Sequence, residues 1–329
     1  MSKGIAKLLA VGFAKESSRG TAESSASFWV PFLEATVDDK DQRDVDEQSY
    51  GVIESTVDQK IVKQWSEIQF KALIGDKSFP LILLATLGGL STGANADGSG
   101  NVKDHTITVG QSAQHQSLTT FLDDPLGGQD YKHALSAVES LEITYEKAKF
   151  IQFALKMLGK KGSTATLTPS ITNENKFLAQ HLTFKVASSQ SGLTGASPTV
   201  IKSLKLTINK ELESDDVLGS LAPADFLNKS FSIEGEVEAM WQNESDFKTF
   251  TLAGTQKALR IDLKNTDVTI GSAANPQIMI DLYKVTFNEL TRPLKAGDLV
   301  MQTLQFKAHY SISDSKMIQV VCTNLQSSY

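Results

Sequence analysis

The sequence has a single cysteine, Cys322, in 329 residues. One cysteine cannot form a disulfide within the chain, so no covalent cross-link is available to stabilise the fold. This scarcity is typical of a protein that assembles in a reducing cytoplasm. Cys322 stands in the apolar stretch VVCT, which predicts a small buried residue in a strand.

Long apolar runs and an excess of positive charge are also lacking. No stretch approaches the ~18 consecutive apolar residues of a membrane-spanning helix, so no membrane association is predicted. Lys3 and Lys7 precede a short apolar run, but no cleavage site typical of a signal peptide follows. The formal net charge is −6. This excludes a dedicated nucleic-acid-binding protein, which needs a basic surface to displace counterions from phosphates. It remains compatible with a surface that nucleic acid slides past.

Sequence motifs of catalysis and metal binding are missing as well. No GxSxG, GxxxxGK or GxGxxG sequence occurs, and paired aspartates lack the DxDxDG spacing of a calcium site. The histidines do not stand at metal-ligand spacing, and they are expected to be surface residues. They are His105, His115, His133, His181 and His309. The sequence predicts no catalytic residue, no cofactor and no metal site, and therefore a protein that is not an enzyme.

Alternation of apolar and polar residues is the main pattern that is present. It occurs in residues 141–146, 204–209, 231–240 and 304–311. A period of two places one set of side chains on a core face and the other on a wet face, so these segments predict half-buried antiparallel strands.

Two short α-helices are predicted. Residues 78–87 begin with a serine cap and a first-turn proline, and Gly88-Gly89 end the helix. This helix is apolar nearly all round and should be buried. The second is predicted at about residues 243–253, before Gly254.

Two segments rich in Gly, Ser and Asn, residues 88–103 and 188–199, predict exposed, mobile loops. Residues 36–55 are polar and acidic, which predicts a hairpin or an arm that leaves a β domain. We expect this arm and the residues before Phe28 to be disordered in a free subunit and ordered in an assembly. Neither segment has enough apolar surface to offset the entropy of ordering.

The two halves of the chain repeat an order of elements. A strand at residues 65–74 leads to a short helix with Asp76 and Phe79, and a strand at residues 231–241 leads to a short helix with Asp246 and Phe247. The predicted fold is mainly β, with two tandem antiparallel β-sandwich or barrel domains, each with one short α-helix. The predicted divisions are an N-terminal arm and first strand (1–35), a first domain with the polar arm (36–165) and a second domain (166–329).

Three glutamates share one face of the strand at residues 231–241. They are Glu234, Glu236 and Glu238. One reading is a simple solvated sheet face. Because like charges on one face repel weakly, the alternative is a surface whose sign serves an external partner.

Three stretches of the chain resemble a known protein family. In the first, residues 12–33, a GxxxExxxGT-like run leads to an apolar strand that contains a proline. The residues of this pattern are Gly12, Glu16, Gly20, Thr21 and Pro31. The second comprises Tyr50-Gly51 and residues 65–89, a strand and buried helix that end in LGG. The third, residues 277–325, has an apolar strand, Gly297-Asp298, an aromatic strand and a terminal VVCTNL strand.

In their order and spacing these stretches resemble the major tail tube proteins of long-tailed, non-contractile (siphovirus-type) bacteriophages. The resemblance covers nearly the whole chain, although the polar arm has no matching motif. It implies a structural subunit that assembles with itself into stacked rings around a channel, through which DNA passes without specific binding. The arm and loops would bridge the rings. It also implies a tape measure protein, a tail terminator and baseplate proteins as partners, with assembly in the host cytoplasm and a final place in the virion tail.

An acidic or neutral channel wall would repel DNA and keep it moving, whereas a basic wall would bind it. The wet faces of the two equivalent strands supply the candidate lumen-lining residues. They are Glu67, Gln69 and Lys71 in the first half and Glu234, Glu236 and Glu238 in the second. Lys71 would partly neutralise the first strand.

Ring symmetry follows from the predicted repeat. Because each half has the size of one domain, three copies could form a ring with pseudo-six-fold symmetry, and this is favoured over a true hexamer with an outward second half. Two other readings stay open. One is a tailocin or secretion-system tube subunit. The other is a carbohydrate- or host-binding β-sandwich, which usually has clustered exposed aromatic residues; this chain has only three tryptophans.

Overall fold

The computed structural model describes residues 5–125, 128–241, 247–295, 297 and 299–329. Strands hold 54% of the described residues and helices 8%, which confirms a mainly β fold. The strands are β1 (Ala10–Lys15), β2 (Phe28–Val30), β3 (Phe32–Asp46), β4 (Asp58–Leu73), β5 (Gly88–Ala94), β6 (Lys103–Val109), β7 (Leu118–Asp123), β8 (Asp130–Glu146), β9 (Gln152–Gly159), β10 (Ser163–Ala165), β11 (Leu182–Ala187), β12 (Ser203–Asp215), β13 (Asp225–Met240), β14 (Lys257–Lys264), β15 (Gln277–Thr291), β16 (Met301–Ala308) and β17 (Ile318–Asn324). The helices are α1 (Phe79–Leu87), α2 (Lys248–Leu252) and three 3-10 helices at Ala6–Leu8, Ala179–His181 and Gln190–Leu193.

Eight strands lie side by side in one long antiparallel sheet. Their order is β3-β4-β9-β8-β12-β13-β16-β15. The sheet therefore runs without interruption from the first half of the chain to the second, and β8 and β12 form the joint between them.

The long strands β8 and β15 each leave this sheet in their N-terminal halves. There β8 pairs with β7 and β10, and β7 pairs with β1, which also pairs with β2. In the same way β15 pairs with β14 and β17, and β14 pairs with β11. β17 also pairs with β6, which forms a hairpin with β5.

The apolar side chains of the alternating strands form the core, as the period of two predicts. Leu141, Ile143, Leu204 and Leu206 are buried at the joint between β8 and β12. Tyr310 is an exception: it follows the end of β16 and is 47% exposed.

Helix α1 is buried on all sides, because it packs between β8 and the β5–β6 hairpin. It ends at Gly88, whose positive φ of 94° suits a residue without a Cβ atom. Helix α2 is shorter than predicted and follows the buried Phe247. The predicted residues 243–246, including Asp246, lie outside the described residues. Gly254 follows α2 with a φ of 62°.

The predicted mobile loop at residues 88–103 is wrong for its first part. Gly88–Ala94 forms β5 and pairs with β6, so only the turn between them is a loop. Backbone hydrogen bonds hold this glycine-rich strand, and a Cβ atom on Gly89 would lie 3.0 Å from the carbonyl oxygen of Thr108. The small residues therefore serve a close approach of backbones. Residues 188–199 form a 3-10 turn and irregular backbone.

The N-terminal segment is also more integrated than expected. β1 lies between β2 and β7, and Val11 and Phe13 are fully buried. This differs from the expectation that the residues before Phe28 have too little apolar surface to offset the entropy of ordering, because the VGFA run of β1 is buried. The polar segment is a hairpin: β3 and β4 pair out to Asp46 and Asp58. Its order in a free subunit stays a prediction, which hydrogen exchange on free and assembled forms tests.

Candidate functional site

Glu67, Gln69 and Lys71 lie on the side of β4 that faces away from the core. The residues between them, Ile68 and Phe70, are at most 2% exposed. Glu67 accepts a hydrogen bond from the indole Nε1 of Trp65 at 3.2 Å, which holds its carboxylate along the strand.

Glu234, Glu236 and Glu238 occupy the matching side of β13. Val237 and Ala239, which alternate with them, are buried. Each glutamate has a cationic or hydroxyl neighbour on an adjacent strand. Glu234 pairs with Lys307 at 2.9 Å, Glu236 lies opposite Lys205, and Glu238 accepts a hydrogen bond from Ser203 at 3.2 Å.

Both groups belong to one continuous face. Residues directly opposite one another in a sheet project to the same side. One row across the sheet runs Lys71, Ala154, Glu142, Thr207 and Glu234. The six predicted lumen-lining residues therefore share one face of the long sheet, which we call the polar face.

Carboxylates outnumber lysines on the polar face. Its carboxylates include Glu34, Asp38, Glu67, Glu142, Glu146, Glu211, Glu234, Glu236, Glu238 and Glu289. Its lysines are Lys40, Lys71, Lys156, Lys205 and Lys307. Lys205 pairs with Glu142 at 2.8 Å. The face is thus polar and acidic, with cations that are partly neutralised by neighbouring strands.

The long sheet has two edges without a partner in the described part of the chain. β3 pairs only with β4. In β15, residues beyond Val285 pair only with β16. Exposed edges of this length present unpaired backbone donors and acceptors to other chains.

Residues of the N-terminal pattern have structural roles. The carboxylate of Glu16 is 3% exposed and accepts bonds from the backbone N–H of Gly20 and Leu135 at 2.7 Å and from two hydroxyls. These hydroxyls belong to Ser117 and Thr119. Gly20 has a φ of 76°, and a Cβ atom on Gly12 would approach Ala26 to 2.6 Å. These residues therefore form a turn that hydrogen bonds of Glu16 attach to β7 and β8.

The prediction of surface histidines is wrong for four of the five. His105, His115, His133 and His181 are at most 7% exposed. Ring nitrogens of two of these histidines meet backbone carbonyls: His105 Nε2 lies 3.0 Å from Gln326 O, and His115 Nδ1 lies 3.1 Å from Thr86 O. Burial lowers the pKa of His105 and of His115.

A cluster that sequence reasoning missed lies at the C-terminal end of α1. Its last four carbonyls accept bonds from Gly88 N, Lys210 Nζ, His115 Nδ1 and Gly110 N, in chain order. Arg19 lies beside this cluster. It pairs with Asp225 at 2.7 Å and also donates to the carbonyl oxygens of His115 and Phe226. No sequence pattern marks either cation, because Arg19 and Lys210 each stand near other charged residues in the chain.

Cys322 is buried in β17, as predicted, and burial raises the pKa of its thiol. In the described ranges, no group of three or more His, Cys, Asp or Glu side chains is arranged to hold a metal ion. Neither described α-helix is long and apolar enough to cross a membrane. Asp298, which belongs to the third resembling stretch, lies outside the described residues.

Comparison with known proteins identifies the family. A family model described as phage tail tube protein matches residues 7–308. No curated protein matches the chain. Because this family model covers most of the chain, the chain belongs to the family of phage tail tube proteins and is a structural subunit of a phage tail tube in the virion tail.

Proposed function

We propose that this protein is the major tail tube subunit of a long-tailed, non-contractile phage. Copies of the chain assemble into rings, the rings stack into a tube, and DNA passes through the channel without specific binding. The protein performs no catalysis. The observation that carries this proposal is a repeat of strand pairing along the chain.

The repeat consists of two four-stranded units. β3-β4-β9-β8 has the same order and directions as β12-β13-β16-β15. In each unit the second strand is followed by a helix, and that helix packs on the fourth strand. The side strands repeat as well: β1, β7 and β10 stand in the first unit where β11, β14 and β17 stand in the second.

Two β-bulges stand at equivalent positions in the units. Val62 is the unpaired residue in β4, and Lys229 is the one in β13. Glu139 is unpaired in β8, and Asn288 in β15. A bulge is a specific feature of strand pairing and is retained within families. Two bulges recur at equivalent positions in the two units, which supports a tandem duplication. The first unit comprises the residues up to about 165, and the second comprises residues 166–329.

A chain with two such units fits a ring of three copies with pseudo-six-fold symmetry. The joint between β8 and β12 within the chain would alternate with a similar joint between chains. Native mass spectrometry of a single ring tests this. Three copies are expected, and six would mean that only one unit of each chain lines the channel.

We assign the polar face of the long sheet to the channel wall, with Glu67, Gln69, Lys71, Glu234, Glu236 and Glu238 in contact with the lumen. Its excess of carboxylates repels phosphates, and two of its five lysines, Lys205 and Lys307, are paired with carboxylates on neighbouring strands. The tip of the β3–β4 hairpin bridges stacked rings. Tape measure, tail terminator and baseplate proteins are its partners in the tail, and assembly takes place in the host cytoplasm.

A further inference from the structure

We propose that the free edge of β3 in one copy pairs antiparallel with the free edge of β15 in the next, in a register that places Lys40 opposite Glu289. The interface thus formed is between two copies of this chain. The inference rests on the proposed ring and adds which edges meet and in what register.

The joint between β8 and β12 provides the template. There Leu141 lies opposite Ile208, and Ser140 lies opposite Asn209. β8 is the last strand of the first unit, and β12 is the first strand of the second. The equivalent strands at the open ends are β15, last in the second unit, and β3, first in the first unit.

One row of residues aligns the two units. In the first it runs Ala35, Phe70, Leu155 and Leu141. In the second it runs Leu204, Val237, Leu304 and Leu290. The bulged residues Glu139 and Asn288 each stand two positions before the leucine that ends its row, so the two rows are equivalent at both ends.

The register between copies follows from this alignment. At the template joint, Leu141 pairs with Ile208, which lies four positions after Leu204 in β12. The equivalent residue in β3, four positions after Ala35, is Asp39. Leu290 therefore lies opposite Asp39, and Glu289 lies opposite Lys40.

Charge complementarity supports this register. Lys40 and Glu289 carry opposite charges on the polar face, and an opposite-charge pair directly across two strands is favourable by about 0.2–1 kcal/mol. In the single chain Lys40 pairs with Asp38 at 3.2 Å, and both side chains are exposed. An exposed pair of this kind is weak, so Lys40 is available to the next copy. The free energy of the interface comes mainly from the backbone ladder along both edges.

The test is a disulfide between copies. Residues opposite each other in antiparallel strands have Cα atoms about 4.5–5.5 Å apart, which suits a disulfide. The variant Lys40→Cys/Glu289→Cys is expected to form covalent oligomers up to the size of one ring after mild oxidation. In the control Thr36→Cys/Glu289→Cys, the first cysteine is four positions away on the same side of β3, about 13 Å along the strand. It is expected to stay largely uncross-linked.

A charge exchange gives an independent readout. Lys40→Glu and Glu289→Lys are each expected to raise the protein concentration needed for rings several-fold, and the double exchange to restore it. If the wild-type protein forms rings but Lys40→Cys/Glu289→Cys does not cross-link, this register is overturned and the proposed function stays intact. Efficient cross-linking of the control alone would indicate a shifted register and also overturn it. If the wild-type protein forms no rings or tubes at high concentration, the proposed function fails.

Discussion

At the scale of single residues, Lys210 is a buried cation at the C-terminal end of a buried helix. It belongs to β12 in the second unit, is 4% exposed, and donates to the carbonyl oxygen of Ala85 in α1 at 3.1 Å. The negative end of the helix dipole favours a cation there. Burial, together with the charge of Arg19, nevertheless lowers the pKa of Lys210 to about 7.

This pKa predicts a pH dependence of stability. An unfolded lysine has a pKa of about 10.4, so between pH 7 and 10 the unfolded chain holds a proton that the folded chain has released. The contribution of Lys210 to the free energy of unfolding therefore rises with pH across that window and is constant above and below it. The variant Lys210→Met lacks this contribution, so its free energy of unfolding should rise less steeply between pH 7 and pH 10.

Urea unfolding at intervals from pH 7 to pH 10, on the unassembled subunit, measures the effect. The matched control is Lys147→Met, at an exposed lysine in the turn after β8, which should keep the wild-type slope. The prediction is contradicted if Lys210→Met and the wild-type protein have parallel pH profiles.

At the scale of elements, the β3–β4 hairpin extends beyond the sheet that it borders. β9 pairs with β4 only from Ser66 onwards, whereas β3 and β4 stay paired out to Asp46 and Asp58. Residues 47–57 connect these ends. The tip has little contact with the core, so it is suited to contact a neighbouring ring.

Replacing residues 47–57 by Asn-Gly tests this role. The dipeptide favours the two-residue turn that closes an antiparallel hairpin, so the pairing of β3 and β4 is retained. We expect rings to form at the wild-type concentration but long tubes to be absent in electron micrographs. Size-exclusion chromatography gives the ring content. Tubes of normal length would assign ring stacking to another surface.

A second prediction at this scale concerns the part of β13 that lies on the polar face. Exchanging Glu234, Glu236 and Glu238 for lysine places a basic strip along this face, so the tubes should co-sediment with DNA at low salt and release it as salt rises. The control exchanges the same residues for glutamine, which removes charge without adding a cation. If the lysine tubes retain no more DNA than the glutamine tubes, the polar face does not line the channel.

Local patterns predicted some elements well. The alternation of Leu204, Leu206 and Ile208 placed one side of β12 in the core, and the Pro and Gly signals gave α1 within one residue. The predictions that failed concern segments whose structure depends on contacts with distant parts of the chain. β5 looked like a flexible loop because its order comes from the backbone of β6. His115 looked exposed because the carbonyl group that its Nδ1 contacts, that of Thr86, belongs to α1 and lies 29 positions earlier in the chain.

For the candidate site too, local patterns in the sequence were predictive and contacts between distant segments were not. Period-two spacing identified which residues share a face of β4 and which share a face of β13. It could not indicate that three strands join these faces, because the pairing of β8 with β12 brings together residues more than fifty positions apart. The equivalent bulges at Val62 and Lys229 are invisible in the sequence, since a bulge is defined only by the partner strand.

At the scale of the whole molecule, the two units interlock. β6 of the first pairs with β17 of the second, and the phenol of Tyr329 donates to the carbonyl oxygen of Lys77 at 2.7 Å, just before α1. Lys210 adds a contact from the second unit to the end of the same helix. The first unit therefore depends on the second to cover its sheet edges and its helix.

A prediction for the whole chain is that its halves do not fold separately. Residues 1–165 expressed alone should lack a cooperative unfolding transition by circular dichroism, and co-expression with residues 166–329 should restore a soluble complex. The full chain should unfold in one transition. A cooperative transition of residues 1–165 alone would contradict this dependence.

The joint between β8 and β12 has a consequence for how a ring forms. Because it lies within one chain, its two strands meet at the high effective concentration of a tethered pair, before any encounter between subunits. In the proposed ring of three, half of the sheet joints are therefore complete when each subunit has folded. Only three bodies lose translational and rotational freedom on closure, whereas six single-unit subunits would each bear that cost. Fusion of two units thus lowers the subunit concentration at which a closed ring outcompetes open fragments.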